Sequence, residues 1–160
     1  MSVETLKGAQ LAVRAATAGS VSFAIAEFLR LDYPVFAFAA AVIATDLTPQ
    51  QSRQLGLRRI VATIVGALCG GILSLFLAPG AWTLGFSILL AMFICHLLGA
   101  RDGSRVAGYT CGIIVVSHSG DPWAFAAIRF IETLLGVLVA WAISYVPKLI
   151  RIEESEGQGA

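Results

Sequence analysis

Two arginine and threonine pairs recur at the same spacing in two apolar segments of the chain. Arg59 and Thr63 stand seventy residues before Arg129 and Thr133, and each pair is four residues apart. A spacing of four places both side chains on one face of an α-helix. A guanidinium group can pair with a carboxylate or bind a small anion. Arg59 and Arg129 are therefore candidates for contact with a small anion, and Thr63 and Thr133 lie on the same helix faces.

The position of the two arginines in their predicted helices leaves three interpretations open. Arg59 and Arg129 each lie about one turn after the predicted start, where the helix dipole and the free N–H groups already favour an anion. The side chain either extends to the lipid headgroups, pairs with a carboxylate of the protein, or helps to bind an anionic ligand. Extension to the headgroups is the simplest of these expectations.

Three ionisable residues are candidates for moving a proton. Glu27 and Glu132 are acids inside apolar segments, where an unpaired carboxylate is costly. Because Glu132 follows Arg129 by three residues, an ion pair between these two is the simplest interpretation. The alternative is that one of the acids takes up and releases a proton. His118, in the turn before the last apolar segment, is the third candidate for proton coupling.

Small residues continue the seventy-residue offset along both segments. In lipid, helices associate through close packing rather than through the hydrophobic effect, and small residues at every fourth position permit that approach. We predict that these residues form helix contacts. They are Gly66, Gly70, Ser74, Gly136, Ala140 and Ser144.

The composition identifies the solvent of this protein as lipid. Of its 160 residues, 58% are hydrophobic and 13% are charged, the net charge is +1, and the mean hydropathy is +0.83. No basic run indicates nucleic-acid binding. The three cysteines lie in apolar stretches without metal-ligand spacing, so we expect no disulfide, metal or cofactor. No catalytic triad or phosphate-binding loop is present, which argues against an enzyme.

The lengths of the apolar segments predict an all-α transmembrane fold with six helices. A helix needs about 20 apolar residues to span the hydrocarbon core. Four segments meet that length, and two do not. The four long segments are residues 8–29, 55–77, 82–98 and 123–146, and the two short ones are residues 33–45 and 106–117.

The distribution of positive charge predicts how the helices are oriented. With six crossings and a cytoplasmic N-terminus, nine Lys and Arg residues fall on the inner side and two on the outer side. Both termini are then cytoplasmic, and the two halves form an inverted three-plus-three repeat. The membrane domain covers residues 1–152, with repeats at 8–77 and 82–146, before a polar tail at 153–160. This arrangement places Arg59 and Arg129 towards opposite faces of the membrane.

Three stretches of the sequence resemble a known family of membrane proteins. The run from Tyr33-Pro34 to Thr45, followed by residues 57–67 (LRRIVATIVGA), resembles the membrane domain of the fusaric acid resistance (FUSC) and aromatic acid exporter superfamily. Residues 129–136 (RFIETLLG) are similar to a second signature of that family. The resemblance covers nearly all of residues 8–150. Ala62 differs from the glycine that usually precedes the threonine in this superfamily.

The resemblance implies a protein of the cell inner membrane that exports aromatic carboxylic acids or related organic anions, driven by the proton gradient. The family positions that match are Arg59, Thr63, Gly66, Arg129, Thr133 and Gly136. We expect at least a homodimer in membrane lipid, with a periplasmic adaptor as a further partner. On this hypothesis Arg59 and Arg129 attract the carboxylate of the substrate, and Thr63 and Thr133 offer hydroxyl groups. Three phenylalanines are candidates for contacting an aromatic ring, although packing against lipid or in the core is the simpler role for each: Phe36, Phe38 and Phe130. The alternative is a membrane scaffold that does not transport and binds anionic lipid or another transporter component.

Overall fold

A computed structural model describes residues 3–117 and 121–145, and these ranges contain six α-helices and no strand. The all-α prediction is therefore confirmed. Residues 146–160, which hold the end of the second predicted repeat and the polar tail, lie outside the described residues. A short 3-10 turn, Arg101–Gly103, precedes the fifth helix. The helices are α1 (Val3–Phe28), α2 (Pro34–Ala44), α3 (Pro49–Phe76), α4 (Ala81–Leu97), α5 (Ser104–Val116) and α6 (Pro122–Ser144).

Helix length separates the six helices into two groups. Within the described part of the chain, α1, α3 and α6 are long and apolar enough to cross a membrane. The two short helices predicted from the sequence are confirmed as α2, with 11 residues, and α5, with 13. The fourth helix differs from the prediction. With 17 residues, α4 belongs with the shorter apolar helices rather than with the full spans.

Local sequence signals fix the start of α3 and of α6, which are the third helix of the first and the second half. Thr48 caps α3, its side chain accepting a hydrogen bond from the Gln51 N–H at 3.4 Å, and proline occupies the first turn. Asp121 caps α6 in the same way, accepting from the Trp123 N–H at 2.9 Å. α3 begins at Pro49, six residues before the apolar segment at residues 55–77. Arg59 therefore lies ten residues into its helix, well beyond the first turn.

The short helix of each half packs against the long helix of the other half. In the first half, α2 lies against α1 and against α6, and in the second half α5 lies against α4 and against α3. The two long helices α3 and α6 also contact each other. The contacts of α2 with α6 and of α5 with α3 join the two halves into one bundle.

Two glycines occupy equivalent positions in the crossings between the halves. A Cβ atom added at Gly66 on α3 would lie 2.5 Å from the Ala107 carbonyl oxygen of α5. A Cβ atom added at Gly136 on α6 would collide with the Ala37 carbonyl oxygen of α2. Ala37 and Ala107 are themselves seventy residues apart. The repeat found in α3 and α6 therefore extends to the helices against which they pack.

The next turn of each crossing repeats this equivalence. A Cβ atom at Gly70 would lie 2.9 Å from the Ile114 Cβ atom of α5, and its counterpart Ala140 packs in a buried cluster with Ala44 of α2. Ala44 and Ile114 are again seventy residues apart. Small side chains on α3 and α6 thus allow both short helices to approach closely, as close packing in lipid requires.

Candidate functional site

Arg59 and Arg129 are both buried inside the helix bundle. Each side chain is 3% exposed, and each belongs to a helix that the other half's short helix covers. The interpretation that they extend to the lipid headgroups is therefore wrong. The physical reason is their depth along the helices, since Arg59 lies ten residues after Pro49 and Arg129 lies seven residues after Pro122.

Arg59 has one hydrogen-bond partner in the bundle. Its Nη2 atom donates to the hydroxyl oxygen of Tyr109 on α5 at 2.7 Å. Its Nε and Nη1 atoms are buried and have no hydrogen-bond partner. A buried donor without an acceptor costs free energy, and the cost is larger for a charged group. Two of the three nitrogen atoms of Arg59 are therefore free to bind an acceptor.

Arg129 is held by aromatic rings. Its guanidinium carbon lies 2.9 Å from the ring centroid of Phe36 on α2 and 6.0 Å from that of Phe125 on its own helix. Such stacking stabilises a cation through the negative face of the ring. The planar guanidinium group is suited to this position, which a lysine ammonium group would not fill in the same way.

Both arginine side chains lie close to the ring of Tyr109. The guanidinium carbons of Arg59 and Arg129 each lie 6.0 Å from the centroid of its ring. The prediction that the two arginines face opposite sides of the membrane is therefore wrong, because both side chains point towards the middle of the bundle. Sequence reasoning missed Tyr109. The sequence shows a tyrosine, an aromatic residue with a polar tip, within a short apolar segment, but this does not reveal its partner.

Glu132 is completely buried one turn after Arg129, and it makes a different contact from the predicted one. Its Oε1 atom accepts a hydrogen bond of 2.9 Å from the backbone N–H of Tyr33, the residue that precedes α2. Its Oε2 atom has no hydrogen-bond partner. An ion pair joins Arg58 to Asp102, and none joins Arg129 to Glu132. The predicted ion pair between Arg129 and Glu132 is therefore absent, because Arg129 turns to Phe36 and Glu132 turns to the start of α2.

The other predicted site residues occupy different environments. Thr63 and Thr133 are buried, each one turn after its arginine. Glu27, near the end of α1, is exposed. His118 lies outside the described residues, so its role in proton coupling stays a prediction.

Three phenylalanines were candidates for contacting an aromatic ring, and only one of them lies beside an arginine. Phe36 stacks on Arg129. Phe38 lies on the opposite side of α2 against α1, where a Cβ atom at Gly19 would be 2.9 Å from its ring. Phe130 lines a groove of about 220 Å³ between α3 and α6. The structure therefore separates Phe38 and Phe130 from the arginine pair.

These contacts define a centre with two positive charges, formed by the buried Arg59 and Arg129 and the exposed Tyr109. No carboxylate of the described residues lies within ion-pair distance of either guanidinium group. Burying a charge without a partner of opposite sign is unfavourable, and a bound anion relieves that cost. Aromatic faces at Phe36, Phe125 and Tyr109 surround the charges. This combination suits a small anion that carries a flat apolar ring.

Comparison with known proteins matches the chain to one family of membrane proteins. The family model described as aromatic acid exporter family member 1 matches residues 8–146. A UPF0421 protein of Staphylococcus haemolyticus is 29% identical over 115 residues, which are 71% of this chain and 35% of that protein. The UPF0421 protein YgaE of Bacillus subtilis is 26% identical over 122 residues, covering 76% of this chain and 35% of its own. The chain thus spans about a third of the length of these relatives, and no solved structure matches it.

Proposed function

The chain belongs to the aromatic acid exporter family, and we propose that it is a membrane subunit of a transporter that exports aromatic carboxylates or related organic anions. Two observations support the proposal most directly. Arg59 and Arg129 both lie near the ring of Tyr109, and two buried nitrogen atoms of Arg59 have no hydrogen-bond partner. In this site the carboxylate of the ligand accepts hydrogen bonds from both guanidinium groups. Thr63 and Thr133, one turn further along each helix, offer hydroxyl groups to the same ligand.

The place of the site in the repeat also supports transport. Transporters built from inverted repeats bind their substrates where the repeats meet, near short or interrupted helices. Arg59 contacts a residue of short helix α5, and Arg129 contacts a residue of short helix α2. A relative movement of the two halves would therefore change both contacts together. That is the coupling between binding and movement that alternating access requires.

Glu132 is the residue that we propose for proton coupling. It is completely buried, its Oε2 atom has no partner, and it lies one helical turn from Arg129. A buried carboxylate of this kind exists either as the charged form or as the protonated form, and the balance depends on nearby positive charge. Binding of an anion at Arg129 would weaken that positive charge and favour proton uptake at Glu132. Glu27, which is exposed, lacks such a connection to the site.

The remaining features of the proposal concern the assembly. We place the subunit in the cell inner membrane with both termini in the cytoplasm. An apolar face of α3 is exposed on the bundle and is available to lipid or to a second copy of the chain in a homodimer. Its residues are Leu57, Val61, Ile64, Leu68 and Ile72. A periplasmic adaptor subunit also stays a prediction.

Flux of labelled benzoate through proteoliposomes that contain the purified protein tests the proposal. We expect Arg59→Ala and Arg129→Ala each to lower benzoate flux by at least tenfold, because loss of a charge-assisted hydrogen bond costs about 1.5–3 kcal/mol. Arg53→Ala is the matched control, since Arg53 is an exposed arginine of the same helix as Arg59. Unchanged flux in both buried-arginine variants would remove the basis of the anion site.

The same experiment separates transport from the alternative role as a scaffold. Several arginines are exposed around the start of α3 and of α5, where they could hold anionic lipid. They are Arg53, Arg58, Arg101 and Arg105. If the wild-type protein moved none of a panel of aromatic and aliphatic acids, but bound vesicles of anionic lipid more tightly than vesicles of neutral lipid, the scaffold role would be favoured.

A further inference from the structure

We infer that the Tyr109 side chain fills the anion site in the absence of ligand, taking the place of the aromatic ring of a bound anion, and that a ligand must displace it. This inference rests on the proposed function, because it concerns the same two arginines. If a ligand must replace the Tyr109 ring, the site selects ligands by the shape of their ring as well as by their charge. The expected ligands are single-ring aromatic carboxylates, with aliphatic acids of equal charge bound more weakly.

The contacts of Tyr109 are those of a phenol bound in the site. Its hydroxyl oxygen accepts the hydrogen bond from Arg59, and its ring lies at 6.0 Å from both guanidinium carbons. Arg59 nevertheless keeps two buried nitrogen atoms without a partner. A neutral phenol satisfies one donor of this charged group, whereas a carboxylate accepts more hydrogen bonds and carries the opposite charge. The Tyr109 hydroxyl therefore satisfies only part of the hydrogen-bonding capacity of Arg59.

A groove beside Tyr109 provides room for the displaced ring or for the incoming ligand. It has a volume of about 370 Å³ and lies between α4 and α5. Apart from Tyr109 and Ser117, its lining is apolar, with Leu84, Ile88 and Ile113 among the contacts. An apolar cavity of about 150 Å³ is sufficient to bind benzene. The groove is therefore large enough for one aromatic ring.

Among the described residues that line the groove, Tyr109 is the one that also contacts the arginines. It lines the groove with its ring, and its side chain is 38% exposed although its neighbours Gly108 and Thr110 are buried. The arginines behind it are 3% exposed. Movement of this single side chain would therefore connect an exposed apolar groove to a buried charged centre, without any change in the packing of α3 against α5.

Binding of benzoate to the purified protein in lipid nanodiscs, measured by calorimetry, tests the inference. We expect Tyr109→Phe to bind benzoate about tenfold more tightly than the wild type, since the hydrogen bond that competes for Arg59 is lost. Tyr109→Ala should bind at least as tightly as Tyr109→Phe. Tyr33→Phe is the matched control, because Tyr33 contacts Glu132 through its backbone and not through its hydroxyl.

A second measurement separates displacement from a merely structural effect. In Tyr109→Ala, free phenol should occupy the vacated place and weaken benzoate binding, whereas toluene, which has no hydroxyl, should not. In the wild type, phenol should have little effect. If Tyr109→Ala does not fold, protein labelled with 3-fluorotyrosine serves instead. Benzoate should then shift the fluorine signal that is absent from Tyr109→Phe.

The outcomes distinguish this inference from the proposed function. If Arg59→Ala binds benzoate as tightly as the wild type, the anion site itself is wrong. If Arg59→Ala loses binding while Tyr109→Phe binds benzoate equally or more weakly than the wild type, the site stands and the displacement by ligand is wrong. A fluorine signal of Tyr109 that does not move at saturating benzoate would also overturn the displacement.

Discussion

Arg59 on α3 donates a 2.7 Å hydrogen bond to the hydroxyl of Tyr109 on α5, and this contact joins the two halves of the repeat at a buried charge. Arg129 approaches the same ring from α6. The contact therefore brings together two positive side chains that lie seventy residues apart in the sequence. Its geometry leads to predictions about charge, protonation and packing that can be checked separately.

The guanidinium group of Arg59 should matter beyond its charge. Arg59→Lys keeps the positive charge but provides a single ammonium group in place of a planar set of donors. We expect it to bind benzoate about tenfold more weakly than the wild type, and more tightly than Arg59→Ala. Calorimetry in nanodiscs measures both affinities. Equal binding by the lysine variant and the wild type would show that charge alone is sufficient.

Neutralising Glu132 should uncouple transport from the proton gradient. Glu132→Gln keeps an oxygen that can accept the hydrogen bond from the Tyr33 N–H, so the start of α2 stays anchored. We expect exchange of benzoate for benzoate across proteoliposomes to stay within about twofold of the wild type, while accumulation driven by a pH gradient is lost.

Glu27→Gln is the control for that experiment, because Glu27 is an exposed acid near the end of α1. It should leave both exchange and gradient-driven accumulation unchanged. If Glu132→Gln accumulated benzoate as well as the wild type does under the same pH gradient, Glu132 would not be the coupling residue.

The equivalent glycines of the two crossings should respond equally to an added methyl group. In Gly66→Ala the new Cβ atom would meet the Ala107 carbonyl oxygen, and in Gly136→Ala it would meet that of Ala37. Forcing the short helix away should cost about 1–3 kcal/mol of stability in each variant. Thermal unfolding in detergent measures the loss.

Gly85→Ala is the matched control for the two crossing variants, because nothing lies within 4 Å of a Cβ atom added at that helical glycine. Its stability should equal or exceed that of the wild type, since alanine is the better helix former. Equal melting temperatures for Gly66→Ala, Gly136→Ala and Gly85→Ala would contradict the close crossings.

A buried serine contact should hold the start of α3 to the end of α6. The Ser52 hydroxyl donates to the Ala44 carbonyl oxygen at 2.5 Å and accepts from the Ser144 hydroxyl at 2.9 Å. Ser52→Ala should lower stability by about 1–3 kcal/mol, because it leaves the buried Ala44 carbonyl oxygen without this donor. Ser22→Ala is the control, since Ser22 bonds only within α1, to the Gly19 carbonyl oxygen. Equal losses in the two variants would show that Ser52 has no role between helices.

Much of the fold could be predicted because helix periodicity and segment length are local properties. The seventy-residue offset identified the repeat, and the short segments correctly indicated α2 and α5. The apolar segment at residues 55–77 begins six residues after the start of α3, because residues 49–54 are polar, and it is Thr48 and Pro49 that mark the helix start. Apolar length alone does not detect a helix that extends beyond its apolar segment.

The candidate site was less predictable because it depends on contacts between helices. The sequence spacing of Arg129 and Glu132 favoured an ion pair, but spacing does not reveal that Phe36 and the Tyr33 N–H offer competing partners. Tyr109 was missed for the same reason. Its importance follows from the packing of α5 against α3, which brings it to within 2.7 Å of Arg59. No pattern within residues 106–117 contains that information.

The most direct test of the central claim is a double-mutant cycle on benzoate binding with Arg59→Ala, Arg129→Ala and the double variant. If both arginines bind one anion, the effects of the single substitutions should not add, and the double variant should bind scarcely more weakly than either single variant. Calorimetry in nanodiscs gives the affinities. Strictly additive losses, or single variants that bind benzoate as tightly as the wild type, would contradict a single anion site shared by Arg59 and Arg129.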